Sequence, residues 1–130
     1  MERRKVAKGT LIFGEGSAGT DMYVIVAGQI RIFRTVNAER VFLTTLSKNS
    51  FFGEMSLLLG GQRSASAEAA EDAELLVISQ ENLIEKIQGD PEFAIRLIRA
   101  MARRVKESDK IISKLEGIKR SYEIMYGMQE

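Results

Sequence analysis

The stretch Phe51-Phe52-Gly53-Glu54-Met55-Ser56-Leu57-Leu58-Leu59-Gly60-Gly61-Gln62-Arg63-Ser64-Ala65 holds the residues best suited to chemistry. It reads as an aromatic strand end, a glycine turn and one short apolar helix, then a glycine pair, an arginine and two small residues. A glycine turn opening a helix leaves backbone N–H groups without intrahelical partners, which suits an anion. Arg63 adds a planar fork of donors that matches a phosphate bidentately. Ser64 and Ala65 are small enough to let a ligand approach the backbone. Glu54 brings an acceptor beside this anion site, which suits a sugar hydroxyl better than a second phosphate. Together these groups imply a sugar-phosphate ligand. Taken singly, Arg63 reads as well as a surface arginine paired with Glu68 or Glu71. Glu54 alone reads as a first-turn carboxylate favoured by the helix dipole. Their joint spacing between a Phe-Gly turn and two small residues favours binding.

Composition removes several chemistries. The 130-residue chain has no cysteine, which excludes disulfides, iron–sulfur clusters and thiolate metal sites. It has no histidine, which excludes Ser-His triads and His-ligated zinc or haem. No catalytic residue and no metal ligand set is assigned, and a non-enzymatic protein without a cofactor is expected. A jelly-roll metalloenzyme with histidine ligands is disfavoured on the same ground. A net charge of +1 gives no global field for nucleic acid or membrane. The charged start, Met1-Glu2-Arg3-Arg4-Lys5, is followed by no signal-like apolar core and no run has transmembrane length. A cytoplasmic location without membrane contact is the expectation.

The elements that must position the stretch are short strands. Residues 6–13 read as a first strand, residues 14–21 as turn chemistry whose Gly-rich part, 14–19, has no ligand role, and Met22–Val26 as an apolar strand. Ile30-Arg31-Ile32-Phe33-Arg34 alternates apolar with basic residues as a half-buried strand does. Asn37-Ala38-Glu39 marks a turn into residues 40–46, and Lys48-Asn49-Ser50 a second turn in which Asn49 takes a left-handed conformation. After the central stretch, residues 65–69 alternate weakly and Glu74–Ile78 strongly. Strands at this spacing predict an antiparallel barrel or jelly roll. Helices follow at about 79–88, with Ser79 as N-cap, and at 91–126, with Asp90 as N-cap and Pro91 at the first turn. The expected fold class is therefore α+β, one domain over 1–130, with a β-roll at about 6–78.

The long helix carries a seam. Ala94, Ile98, Met101, Val105, Ser108, Ile112, Leu115, Lys119, Tyr122 and Tyr126 recur at 4-3 spacing, and the first seven are apolar or small. That is a coiled-coil stripe and predicts a homodimer, with Ser108 as a polar residue that fixes register. Arg96, Arg99, Arg103, Arg104 and Lys106 flank it as solvated rim charges.

Phe52-Gly53-Glu54-Met55-Ser56-Leu57-Leu58 with Arg63-Ser64-Ala65 resembles the phosphate-binding cassette of cyclic nucleotide-binding domains. Within that superfamily it is most similar to the effector domain of the bacterial cyclic-AMP receptor protein (CRP/FNR) group, from about Gly9 to about Leu115. The resemblance implies a β-roll and a dimer helix, and a regulatory role in signal transduction. It implies that Glu54 meets the ribose hydroxyl, and that Arg63 with the Ser64 and Ala65 backbone, and the Ser64 hydroxyl, meets the cyclic phosphate. Gly53, Met55 and Ser56 complete the cassette, with Leu43, Leu46 and Met55 as apolar walls. Met101-Ala102-Arg103-Arg104-Val105 resembles the family's dimer-helix segment, which places Ser108 and Asp109 where hydroxyl residues contact adenine. Asp109 departs from that pattern, and Lys48-Asn49-Ser50 departs from the family's Gly-acidic pair. Cyclic AMP is the expected ligand, with cyclic GMP also compatible.

The group's transcription factors continue into a winged helix-turn-helix. Residues 122–130 cannot build a recognition helix, so direct DNA binding is not carried over; a stand-alone sensor, a buffer and a regulatory subunit of an unknown effector protein are all compatible with the chain. The alternative reading is a β-roll and coiled-coil interaction protein with a vestigial pocket or another small anion.

Overall fold

A computed structural model describes residues 1–125, apart from the side chains of Ser108, Ile111 and Tyr122. Tyr126 and the side chains of Ser108 and Tyr122, all assigned to the seam, lie outside the described residues. Eight strands run β1 (Glu2–Val6), β2 (Leu11–Phe13), β3 (Met22–Ala27), β4 (Ile30–Val36), β5 (Glu39–Leu46), β6 (Phe51–Phe52), β7 (Ser66–Ala69) and β8 (Ala73–Ile78). Three helices complete the order: α1 (Glu54–Leu59) between β6 and β7, then α2 (Leu83–Gly89) and α3 (Pro91–Met125). The strands form two antiparallel four-stranded sheets, β1-β8-β3-β6 and β2-β7-β4-β5. This is the expected β-roll with a short central helix and a long C-terminal one. The chain divides into two compact units, Met1–Lys86 and Ile87–Glu130.

One boundary needs correction. The single strand expected over residues 6–13 is two, and each belongs to a different sheet. Gly9, at φ +87°, turns the chain between them, and its amide donates to the Ala69 carbonyl. Residues ahead of the expected start pair with β8 from Glu2↔Val77 to Val6↔Ala73.

Alternation along β3 and β8 fills the interior with Tyr23, Ile25, Leu75 and Val77, joined by Ile30 and Phe52. Ala67 and Ala69 face the same cluster from β7 and are fully buried. Small residues there suit the close approach of two sheets, where a larger side chain overpacks. The register Tyr23↔Phe52 lays the two rings together with centroids 5.1 Å apart.

Turns follow local chemistry. Asn49 has φ +73°, as read from sequence. Ser79 Oγ accepts from the Asn82 amide at 3.3 Å while Asn82 Oδ1 accepts from the Ser79 amide at 2.7 Å, a reciprocal cap ahead of α2. The β4–β5 hairpin turns on Asn37 (φ +52°) and Ala38 (φ +65°), the geometry of a two-residue primed turn. Asn tolerates this conformation; alanine is strained in it. Ala38→Gly is therefore expected to stabilise the protein by about 0.5–1 kcal/mol, after the entropy glycine adds to the unfolded chain. A denaturant midpoint that falls on substitution contradicts the strain assignment.

Candidate functional site

The site is built where β6 delivers the chain to α1. Pairing of Phe52 with Tyr23 carries the next residue, Gly53, up to the start of β3. Gly53 adopts φ +82°, and a Cβ there would lie 2.9 Å from both the Asp21 carbonyl oxygen and Arg63 Nη1. Only glycine fits both conditions. α1 then runs six residues with Glu54 (2% exposed), Ser56 and Leu57 inward and Met55, Leu58 and Leu59 outward. Gly60 closes it by donating to the Ser56 carbonyl at 2.9 Å. The chain returns along the 14–21 loop, where Gln62 bridges Ala18 and Arg63 exchanges backbone hydrogen bonds with the adjacent Gly16 and Ser17. The Arg63 amide donates to the Ser17 carbonyl at 2.9 Å, and the Arg63 carbonyl accepts from the Gly16 amide at 2.8 Å.

This backbone anchoring aims the Arg63 side chain inward, and it is only 5% exposed. Nη2 donates to the Asp21 carbonyl at 2.7 Å and Nη1 to the Gly53 carbonyl at 3.2 Å. The guanidinium carbon lies 4.2 Å from the centre of the Phe13 ring. Buried Nε has no hydrogen-bond partner among the described residues. Burial lowers the Arg63 pKa by penalising the charged form, opposed by the electrostatic influence of Tyr23, Asp21 and Glu54. A buried guanidinium remains charged. It is thus a fixed cation with an unused N–H in a weakly screened setting, and a phosphate or carboxylate matches that arrangement.

Residues 3–90 match the family described as Cyclic nucleotide-binding domain. The chain belongs to that family. It is 40% identical over 110 residues to the Cyclic AMP receptor protein of Thermus thermophilus, covering 84% of this chain and 51% of that one. It thus spans about half the length of this curated relative. Among solved structures, the Thermus thermophilus Catabolite Activator Protein superposes with TM-score 0.79 at 39% identity, over 88% of this chain and 55% of that one. The cAMP-bound form of the EAL enzyme Bd1971 matches with TM-score 0.63 at 30% identity, over 98% of this chain and 33% of that one. Its cGMP-bound form matches with TM-score 0.64 at the same identity, over 98% and 34%.

Within this cyclic nucleotide-binding domain, the first unit brings Gly53, Glu54, Met55, Ser56 and Arg63 into one turn-helix-return segment. Ser64 is exposed and Ala65 half-buried in the bend before β7. The surface pairing of Arg63 with Glu68 does not occur: Glu68 accepts from Arg40 at 2.6 Å. Of the three proposed apolar walls, Leu43 and Met55 are exposed, whereas Leu46 packs against the core cluster. Asp109 is an exposed residue of α3, in the second unit. The residues that sequence reading missed are those holding the arginine: Phe13, Ser17, Gly19 and Asp21. The glycine spacing of the 14–21 loop was the available signal, because a Cβ on Gly19 would meet Arg63 Nη2 at 3.0 Å.

Among the described residues no group of carboxylates is arranged to hold a metal, and no helix is long and apolar enough to cross a membrane.

Proposed function

We propose that this chain is a non-enzymatic regulatory module that binds cyclic AMP, with Arg63 on the cyclic phosphate and Glu54 on the ribose hydroxyl. The carrying observation is the buried Arg63 guanidinium, its Nε without an acceptor, at the family's cassette position. Glu54, buried in the first turn of α1, supplies the acceptor-rich group that a ribose hydroxyl needs. One similar protein, the EAL enzyme Bd1971, has both a cAMP-bound and a cGMP-bound form, which supports either nucleotide as ligand. Cyclic AMP is preferred because the Cyclic AMP receptor protein of Thermus thermophilus shares 40% of the aligned residues, against 30% for the EAL enzyme Bd1971.

The module is further proposed to be a homodimer through α3. Ile98, Val105, Ile112 and Leu115 stand at the seam positions and are each more than half exposed in the single chain. Four such side chains on the positions of a 4-3 seam suit a second copy of the same helix. Ser108 and Asp109 are proposed to face the base, so that ligand binding repositions the helix and signals to an effector protein.

The deciding experiment is a calorimetric titration of the purified chain with cyclic AMP and then cyclic GMP, beside sedimentation velocity. Micromolar or tighter binding to a dimer is expected, with altered hydrogen exchange over residues 95–120 at saturation. A folded dimer that releases no heat with either nucleotide defeats the binding reading and leaves an interaction module. Turnover of either nucleotide defeats the non-enzymatic one.

A further inference from the structure

We propose that Phe13 is the positioning residue that sets the plane of the Arg63 guanidinium for anion capture; this rests on Arg63 being the anion anchor. An arginine side chain has many rotamers, and ordering it on binding weakens affinity. Here the ordering is done before any ligand arrives. Hydrogen bonds to the Asp21 and Gly53 carbonyls fix two nitrogens, at 2.7 and 3.2 Å. Two such bonds define an edge but let the plane pivot about it. The Phe13 ring, 4.2 Å from the guanidinium carbon, removes that pivot by facing the cation.

Phe13 can do this because it is itself held. Its ring lies 6.0 Å from Tyr23 and 5.8 Å from Phe52, tilted to both. Its strand pairs with β7 at Phe13↔Ala67, and Phe13 packs against the core cluster. Gly19 lets the loop close on the guanidinium, since a Cβ there would lie 3.2 Å from Nε. Phe13 therefore links the rigid aromatic interior to the buried cation of the cassette turn. An aliphatic residue of similar volume preserves the core and loses the negative ring face; tyrosine preserves both.

The test compares Phe13→Leu and Phe13→Tyr by two readouts. The first needs no nucleotide. The Arg63 Nε–H resonance of the free protein is expected to be displaced by the Phe13 ring current from those of exposed arginines. It should return towards them in Phe13→Leu and stay displaced in Phe13→Tyr. The second is calorimetric affinity for cyclic AMP, with about a tenfold loss expected for Phe13→Leu and less than about threefold for Phe13→Tyr. Cooperative thermal unfolding of each variant establishes that the roll is intact. An undisplaced Arg63 resonance in the unsubstituted protein overturns the proposal, even where Phe13→Leu does not fold. So does a Phe13→Leu variant that binds as tightly as the parent. A parent protein that binds neither cyclic nucleotide defeats the binding reading instead, while the resonance still reports whether Phe13 orients Arg63.

Discussion

Arg63→Ala is expected to weaken cyclic AMP binding at least a hundredfold. Hydrogen bonds to a charged partner contribute about 1.5–3 kcal/mol each, and truncating one side of a buried charge pair costs about 2–5 kcal/mol. A loss of about 3 kcal/mol already exceeds a hundredfold in affinity. The estimate sits towards the strong end because Arg63 is 5% exposed and its donors are fixed in place. Arg63→Lys separates charge from geometry. Its ammonium keeps the charge but lacks the planar fork, and it cannot stack on an aromatic face as a guanidinium can. Lysine should recover a minor part of the affinity. Stability should respond less than binding. Alanine leaves the Asp21 and Gly53 carbonyls without their donor, a cost of about 1–3 kcal/mol. It also removes a desolvated cation, which offsets part of that cost. Calorimetry and urea unfolding on the same preparations separate the two effects. An Arg63→Ala variant within threefold of the parent affinity removes Arg63 from the role of phosphate anchor.

What the sequence made legible was local. Asn49 in a left-handed turn and the Phe-Gly turn into α1 each depend on residues a few positions apart, and both hold; Ser79 caps the turn at 80–82, and the helix expected from about 79 begins at Leu83. The β-roll was readable because its strands alternate at period two between glycine turns. The surroundings of Arg63 were not readable in the same way. Asp21 is 42 residues away in sequence, and Phe13 reaches the guanidinium only after β2 has paired with β7. Glycine spacing in the 14–21 loop marked a turn able to close on a neighbour, but nothing local to the loop named Arg63 as that neighbour. The surface pairing weighed for Arg63 fails for a similar reason. Glu68 lies closer to Arg63 in sequence than Arg40 does, yet β7 presents Glu68 to Arg40. The expected first strand runs through Gly9, whose positive φ ends one sheet and begins the other.

Gly53→Ala couples the two kinds of information, and its expected effect is as large as that of Arg63→Ala. The backbone at Gly53 is left-handed, which costs about 1–2 kcal/mol for a residue with a Cβ. The added carbon would also meet the Asp21 carbonyl oxygen and Arg63 Nη1, each at 2.9 Å. The carbonyl belongs to backbone entering β3 at the centre of a sheet, so it cannot retreat cheaply. The guanidinium can move, but only by leaving the Phe13 face and lengthening its bond to the Gly53 carbonyl. Strain and steric terms together are expected to lower stability by about 3 kcal/mol. The molecules that remain folded should bind cyclic AMP at least tenfold more weakly, because the displaced Arg63 no longer meets the phosphate in plane. Gly61 is the control: it also has positive φ, yet a Cβ there would meet nothing within 4 Å. Gly61→Ala should thus show the backbone cost alone, with near-parental affinity in the folded fraction. Equal losses of affinity in both variants, measured with unfolding curves to correct for the folded fraction, refute the claim that Gly53 is reserved for Arg63.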